Sequence, residues 1–445
     1  MNSSAREIIC KCIVVILLFM YIFDFELIKG VSYSRSSIVA IVISLIVVIF
    51  SKSNRQLLNS IFQASCMKFA IALSFILTIY SFIIIFLHQT GDYSLLFSII
   101  RSVIWIGASA VLYVAIKRTY QGSILDLLIY VMLAQSVVIV LSMLFPEFKS
   151  MTDAFRSDNV IERGEMYSGY RALGISGSAF FGLAICYGFI FLLIAYHWKN
   201  WSITNPVLRV AVIILLIVAG SSAGRTSQIG LIFGVLLFIV LQTIGNTHRH
   251  NKVKKKNIVI VSLFLAVAIS SVPFLGQISI SGTVEYFIAY ATSFFANFNP
   301  SDILSSTSST QTLSTMYFPL SFDQLIVGDG LYEVNGFYYM DTDAGYMRTV
   351  LYFGVPGLLL MCGLQFSLLY MGSEKKEILF YIFIVLLLLI FQYKGEAILT
   401  PISLASLSFL AALDIRAKLY DYLGDSLQDS FHQSVRIVGG VNESQ

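Results

Sequence analysis

Long apolar segments divide this chain from end to end, and they constrain its fold more than any other feature. Of its 445 residues, 57% are hydrophobic and 12% are charged, an apolar share well above that of soluble globular domains. A run of about 20 apolar residues can cross the hydrocarbon core of a bilayer as a helix. The sequence therefore predicts an all-α polytopic membrane protein with about 12 transmembrane helices. The predicted spans are approximately 8–28, 36–51, 69–88, 94–116, 124–146, 172–197, 207–223, 226–244, 258–275, 346–372, 377–393 and 398–413.

Basic residues set the predicted orientation, because cytoplasmic loops of membrane proteins are enriched in Lys and Arg. The densest cationic segment runs from His248 to Lys256 and is therefore placed in the cytoplasm. Alternation of the spans puts both termini inside, with about 19 of the 29 Lys and Arg residues on the cytoplasmic side. The expected location is the bacterial inner membrane. The net charge of +4 then reflects topology and contact with membrane lipids, and nucleic-acid binding is not expected.

Two predicted outer segments are too long to be simple connections between helices. The first spans about 146–170, and the second spans about 276–345, between the predicted ninth and tenth helices. Loops of this length inside a compact protein are usually functional or disordered. We therefore expect one membrane domain, 1–413, with two large periplasmic loops, followed by a cytoplasmic tail, 414–445.

Basic residues also cluster at the predicted outer ends of helices, against the usual charge bias. Guanidinium groups bind phosphate oxygens through paired hydrogen bonds and stay charged when partly buried. Such a cluster suits an anionic lipid headgroup, although each side chain alone could equally reach lipid phosphates or pair with an acid. The residues are Arg101, Arg171, Arg225, Arg348 and Lys394. Arg163, in the first outer loop, is a further candidate for substrate binding.

Acidic residues accompany these cations. Asp341 and Asp343 form a D-x-D pair directly before the predicted tenth helix. Three interpretations are open: the pair holds a divalent metal, Asp343 accepts a proton from a sugar hydroxyl, or both acids cap the helix. Glu396 follows Lys394 in a charged break between two apolar runs, where the two could equally form an isolated salt bridge. We expect no metal and no cofactor, and we count Asp341, Tyr346 and Glu396 with the substrate-binding residues.

In this order, the segments resemble the O-antigen polymerase family (Wzy-type) of the O-antigen ligase/polymerase superfamily. The resemblance is carried by Arg171 with its following small residues, the turn from Gly220 to Arg225, Gly328-Asp329-Gly330, Asp343 to Gly357, and Lys394-Gly395-Glu396. It implies a metal-independent glycosyltransferase whose donor and acceptor are undecaprenyl-diphosphate-linked repeat units. It also implies a Wzz-type chain-length regulator as partner.

The resemblance also assigns roles. Arg171, Arg225, Arg348 and Asp343 are the expected catalytic residues. Arg171 and Arg225, helped by Arg348 or Lys394, hold the donor diphosphate, and Asp343 orients or deprotonates the acceptor hydroxyl. Two alternatives remain. The ligase branch carries a histidine in the outer loop where this chain has Asp343-Ala-Gly. A lipid-linked oligosaccharide flippase would place its charges along a central path instead of at the outer face.

Overall fold

A computed structural model describes residues 3–31, 34–165, 172–178, 180–244, 308–372 and 374–417. Throughout these ranges the fold is helical, with one small hairpin. The helices are α1 Ser3–Phe23, α2 Ser36–Ile49, α3 Lys52–Gln63, α4 Ser65–His88, α5 Ser94–Thr119, α6 Ile124–Leu144, α7 Pro146–Asp153, α8 Asp158–Glu165, α9 Phe180–His197, α10 Pro206–Ala223, α11 Thr226–Ile244, α12 Ser308–Thr315, α13 Phe322–Ile326, α14 Gly345–Leu369, α15 Lys375–Lys394 and α16 402–417. Strands β1 Glu333–Val334 and β2 Phe337–Tyr338 form the antiparallel hairpin.

Eight of the described helices are long and apolar enough to cross a membrane, which makes this a multi-pass membrane protein. They are α4, α5, α6, α9, α10, α11, α14 and α15, and each matches a predicted span. The predicted ninth span, 258–275, the cationic segment His248 to Lys256, and most of the tail lie outside the described residues. The count of twelve and the orientation therefore stay predictions.

The other described spans, and the start of the sixth, differ from the prediction in informative ways. The first, 8–28, stops at Phe23 because Asp24 has a left-handed backbone with φ +43°. The second, 36–51, breaks after Ile49, where α2 and α3 meet at 110°. The sixth, 172–197, begins helically only at Phe180, because residues 172–178 form an extended and turning segment. The twelfth, 398–413, becomes α16, which the structure describes over 402–417.

Helix α9 lies at the centre of the bundle and is buried along its whole length. A helix that is apolar on all sides is expected in such a position. It crosses α11 at Gly188 and Gly230, where a Cβ built on Gly230 would lie 2.1 Å from the Cα of Gly188. Only glycine permits this approach, as in the small-residue contacts of other membrane helices. The two helices are thereby fixed beside each other, along with the loops at their ends.

The chain before α14 is packed onto the bundle and contains α12, α13 and the hairpin. The carboxylate of Asp92 accepts hydrogen bonds from the backbone N–H groups of Tyr332 (2.6 Å) and Glu333 (3.1 Å). Farther along, α14 kinks at Gly354, which has φ +68° and would meet the Ile326 carbonyl oxygen at 2.5 Å if it carried a Cβ. These contacts hold the start of the hairpin to the α4–α5 connection and α13 to the kink of α14.

A second ordered break separates α15 from α16. The side-chain oxygen of Gln392 accepts hydrogen bonds from the N–H groups of Ala397 (2.7 Å) and Ile398 (3.0 Å), which replace the helical bonds that this segment lacks. Leu399 then adopts a left-handed backbone with φ +63°. The predicted charged break at Lys394 to Glu396 is therefore a structured turn that directs its side chains towards the interior.

Candidate functional site

One end of the bundle encloses a cavity of about 690 Å³. It is bounded by the C-terminal ends of α1 and α15, the N-terminal ends of α9 and α14, and the turn between α10 and α11. Within the described ranges, its charged lining side chains are three cations and three carboxylates: Arg101, Arg348, Lys394, Asp24, Asp343 and Glu396. We call Asp24, Arg101 and Ser178 the N-terminal wall, and Asp343, Arg348, Lys394 and Glu396 the C-terminal wall.

Arg348 is the most enclosed cation of the cavity, with 7% of its surface exposed. Its guanidinium lies 3.8 Å from the ring centre of Tyr332 and 3.9 Å from that of Tyr338. It pairs with Glu396 at 3.4 Å and with Glu333 at 3.8 Å. Its Nε and Nη2 atoms nevertheless have no hydrogen-bond partner among the described residues. Since buried donors without partners are costly, this guanidinium is suited to bind an additional anion.

Glu396 is the partner that fixes Arg348. The Tyr332 hydroxyl donates a hydrogen bond to the Glu396 carboxylate, so one tyrosine contacts both members of the pair. Burial raises the pKa of Glu396, while the charge of Arg348 and the bond from Tyr332 oppose that shift. Removing either member of a buried pair leaves an uncompensated charge, which typically costs about 3–5 kcal/mol. The salt bridge that the sequence suggested between Lys394 and Glu396 is thus replaced by one between Arg348 and Glu396.

Asp343 faces the cavity directly before α14. Desolvation by the cavity wall raises the pKa of its carboxyl, and the charges of Arg348 and Lys394 act in the opposite direction. The N-cap residue of α14 is Ala344, so neither acid of the D-x-D pair occupies the capping position. Asp343 therefore sits beside two cations, with its carboxylate available to the cavity.

Asp341 and Tyr346 are not brought to the cavity with the other predicted residues. Among the residues that the structure describes, only Asp343 of the D-x-D pair lines the cavity. Asp341 ends a single helical turn, Tyr339–Asp341, and has φ +52°. The Tyr346 hydroxyl donates to the Leu389 carbonyl at 2.8 Å and so ties α14 to α15. Tyr346 has a structural contact where we expected a substrate contact.

Of the three remaining predicted arginines, the structure describes the side chain of Arg225 but not those of Arg163 and Arg171. Arg225 is half-buried in the turn between α10 and α11, and its neighbours Gly224 and Thr226 line the cavity. Arg171 lies outside the described residues, as does the side chain of Arg163, whose backbone belongs to α8. The hydroxyl of Ser222, close to Arg225, accepts a hydrogen bond from the Ala172 N–H at 2.9 Å. That bond fastens the start of the 172–178 segment to the Arg225 turn.

Two features of the cavity escaped the sequence analysis. Asp24 lines the N-terminal wall, and Tyr332 and Tyr338 enclose Arg348. A signal for Asp24 was present, because an acid inside a predicted span is expensive unless it has a role. Nothing local to the hairpin sequence indicates which tyrosines meet the arginine.

No protein-family model, curated protein or solved structure matches this chain. The class of protein is set by the helices alone: a multi-pass membrane protein. Its candidate site is a charged cavity at one end of the helix bundle.

Proposed function

We propose that this protein is an O-antigen polymerase of the bacterial inner membrane. It would polymerise undecaprenyl-diphosphate-linked repeat units at the periplasmic face, transferring the growing glycan to a new lipid-linked unit. The observation that carries the proposal is the cavity, in which Arg101, Arg348 and Lys394 come together with carboxylates from distant parts of the chain. The family resemblance of the sequence supplies the substrate class.

The chemistry of a lipid-linked donor fits this arrangement. Its diphosphate lies at the membrane surface and carries negative charge that grows as the glycosidic bond breaks. Cations fixed around that position stabilise the transition state more than the bound substrate, which is the condition for catalysis. The cavity volume of about 690 Å³ lies within the usual range for small-molecule sites and suits a diphosphate with its first sugars.

In the proposed reaction, Arg348 and Lys394 hold the donor diphosphate, with Arg171 and Arg225 as further ligands. A carboxylate of the cavity takes the proton of the acceptor hydroxyl, and the sequence favoured Asp343 for that step. The energy resides in the glycosyl-diphosphate bond, so the reaction requires no nucleotide sugar. A Wzz-type regulator would set the chain length. The periplasmic orientation is supported by the excess of basic residues on the opposite side of the predicted spans.

The deciding experiment is the lipopolysaccharide banding pattern of a strain of the source bacterium that lacks this chain. We expect the ladder to disappear while core carrying a single repeat unit persists, because flipping and ligation continue. A plasmid copy of the wild-type protein should restore the ladder. Bare core would instead indicate a ligase or a flippase, and polymer accumulating on the lipid carrier would then identify the ligase.

A further inference from the structure

Among the described residues, Asp24 is the one cavity carboxylate that belongs to the N-terminal wall. We infer that Asp24 is the general base that accepts the proton of the acceptor hydroxyl, in place of Asp343. This inference rests on the proposed function and names the residue for one of its steps. It starts from the way in which the fold holds Asp24.

Gly177 and Arg35 pack against the backbone at Asp24, which has a conformation that few non-glycine residues adopt, with φ +43°. The Gly177 N–H donates to the Phe23 carbonyl at 2.8 Å. A Cβ on Gly177 would lie 2.3 Å from the Asp24 carbonyl oxygen, so glycine is required for this contact. Arg35 donates to the same oxygen at 3.2 Å. Uncommon backbone conformations of this kind persist where surrounding contacts over-determine them, often at functional sites.

The carboxylate of Asp24 has one fixed oxygen and one open oxygen. The Ser37 hydroxyl donates to Oδ1. Oδ2 accepts no side-chain hydrogen bond from the part of the chain that the structure describes, the Ser37 N–H supplies a backbone hydrogen bond to the carboxylate, and the residue lines the cavity. A base needs this combination, because its orientation must be set while one lone pair stays available to the substrate.

The charges around Asp24 also suit a base. Burial raises the pKa of its carboxyl, and the Ser37 hydrogen bond and the charges of Arg35 and Arg101 oppose the shift. Tyr21 is the other titratable neighbour. Arg35 is itself shared, since it pairs with Glu26 at 3.4 Å. A raised pKa brings the carboxyl closer to the pH at which it must exchange a proton.

The other two carboxylates of the described lining lie on the C-terminal wall, beside its cations. Glu396 pairs with Arg348 and accepts the Tyr332 hydrogen bond. Asp343 lies within the fields of Arg348 and Lys394, the groups proposed to hold the diphosphate. A carboxylate at that position is close to the leaving group. Asp24 lies on the N-terminal wall, away from the leaving group, and is therefore the carboxylate assigned to the acceptor hydroxyl.

In the proposed step, Asp24 takes a proton from the acceptor and the diphosphate leaves the donor sugar. The proton of the acceptor hydroxyl moves to Oδ2 of Asp24, and the hydroxyl oxygen forms a bond to the anomeric carbon of the donor sugar. The bond from that carbon to the diphosphate oxygen breaks, and its electron pair leaves with the diphosphate. Asp24 later releases the proton to solvent.

The test uses the full-length purified protein and lipid-linked repeat units extracted from the deletion strain. Asp24→Asn should lower the polymerisation rate by about 100-fold or more, as expected for loss of a general base. Binding of a labelled short-chain polyprenyl diphosphate should be unchanged. Arg348→Ala should lose that binding. Asp158→Asn is the matched control and should have wild-type activity. Asp158 is exposed, lies outside the cavity lining, and pairs with Lys29, which belongs to the α1–α2 connection.

The pH profile separates a base from a structural residue. A base works only when deprotonated, so the wild-type rate should rise with pH through the raised pKa of Asp24, and the residual rate of Asp24→Asn should lack that rise. Asp24→Glu should lower the rate and move the rise to a different pH, because the longer side chain displaces the carboxyl from Ser37 and from the arginines. If Asp24→Asn does not accumulate in membranes, an unchanged rate and pH profile of Asp24→Glu overturns the inference.

Two other results would also overturn it. One is an Asp24→Asn rate within about twofold of wild type, which is too small for loss of a general base. The other is loss of polyprenyl-diphosphate binding in Asp24→Asn as severe as that in Arg348→Ala. A wild-type protein that converts no lipid-linked repeat unit would remove the proposed function itself.

Discussion

The two walls of the cavity hold their charges in opposite ways. On the C-terminal wall, Arg348 is 7% exposed, lies between two tyrosine rings and pairs with Glu396. On the N-terminal wall, Arg101 is exposed and Asp24 keeps one carboxylate oxygen open to the cavity. The first arrangement fixes a charge in place. The second leaves a group free to exchange a proton or meet an acceptor.

This difference suggests a division of labour. A cation that must face a growing negative charge gains from being pre-oriented, because no reorganisation is then needed during the reaction. A base gains from one fixed and one open oxygen. The C-terminal wall therefore suits the donor diphosphate and the N-terminal wall the acceptor sugar.

Arg348→Ala should have the largest effect. It removes the pre-oriented guanidinium and leaves Glu396 buried without its cation. Loss of one electrostatic group of an active site typically lowers the rate by about 100- to 1,000-fold. We expect the lipopolysaccharide ladder to vanish.

The double variant Arg348→Met with Glu396→Gln is the control for folding, because it removes both charges. It should accumulate in membranes but stay inactive. A ladder of normal length in Arg348→Ala would exclude the donor role of this wall.

The sequence predicted much of the C-terminal wall and little of the N-terminal wall. Charges are scarce in an apolar chain, so Arg348, Asp343, Lys394 and Glu396 stood out, and the fold brings them together. Arg101 was found in the same way. Asp24 gave a signal as an acid inside a predicted span, but its place in the cavity depends on a left-handed turn packed on Gly177. That contact joins residues more than 150 positions apart, which no local pattern indicates.

The same limit explains the other differences. The D-x-D spacing placed Asp341 and Asp343 together, but the backbone reverses locally at Asp341, and only Asp343 lines the cavity among the described residues. Apolar length located eight spans correctly. It did not reveal the 110° bend after Ile49, because the residues on both sides remain compatible with a helix.

Asp343→Asn should have an intermediate effect. If Asp24 is the base, Asp343 contributes only its negative charge beside Arg348 and Lys394. We then expect the polymerisation rate to fall about tenfold, equivalent to about 1.4 kcal/mol in the activation free energy. Polymerisation rates of purified protein, measured beside Asp24→Asn, provide the comparison. A loss above 100-fold in Asp343→Asn, with Asp24→Asn active, would move the base to the C-terminal wall.

Tyr332→Phe should have a smaller effect, mainly on stability. It keeps the ring against Arg348 but removes the hydrogen bond to the buried Glu396 carboxylate. Loss of such a bond costs about 1–3 kcal/mol, so the thermal midpoint of the detergent-solubilised protein should fall. Tyr338→Phe is the matched control, because its ring also covers Arg348 but its hydroxyl makes no hydrogen bond within the described chain. Equal midpoints for the two variants would show that the rings alone, and not the hydroxyl, support the pair.

Arg101→Gln should have the smallest effect, and its form is diagnostic of the N-terminal wall. The side chain is exposed, so its electrostatic contribution is screened, and we expect at most about a fivefold loss of rate. The charge of Arg101 lowers the pKa of Asp24. Without it the pKa rises further, less of the base is deprotonated at a given pH, and the rising limb of the pH–rate profile moves to higher pH.

Arg118→Gln changes an exposed arginine at the other end of α5 and should leave the profile unchanged. Because exposed charges are screened by salt, the difference between Arg101→Gln and wild type should shrink as ionic strength increases. If the rate of Arg101→Gln falls but the rising limb of its pH–rate profile stays in place, Arg101 contacts the substrate without acting on Asp24. Both walls would then bind the donor.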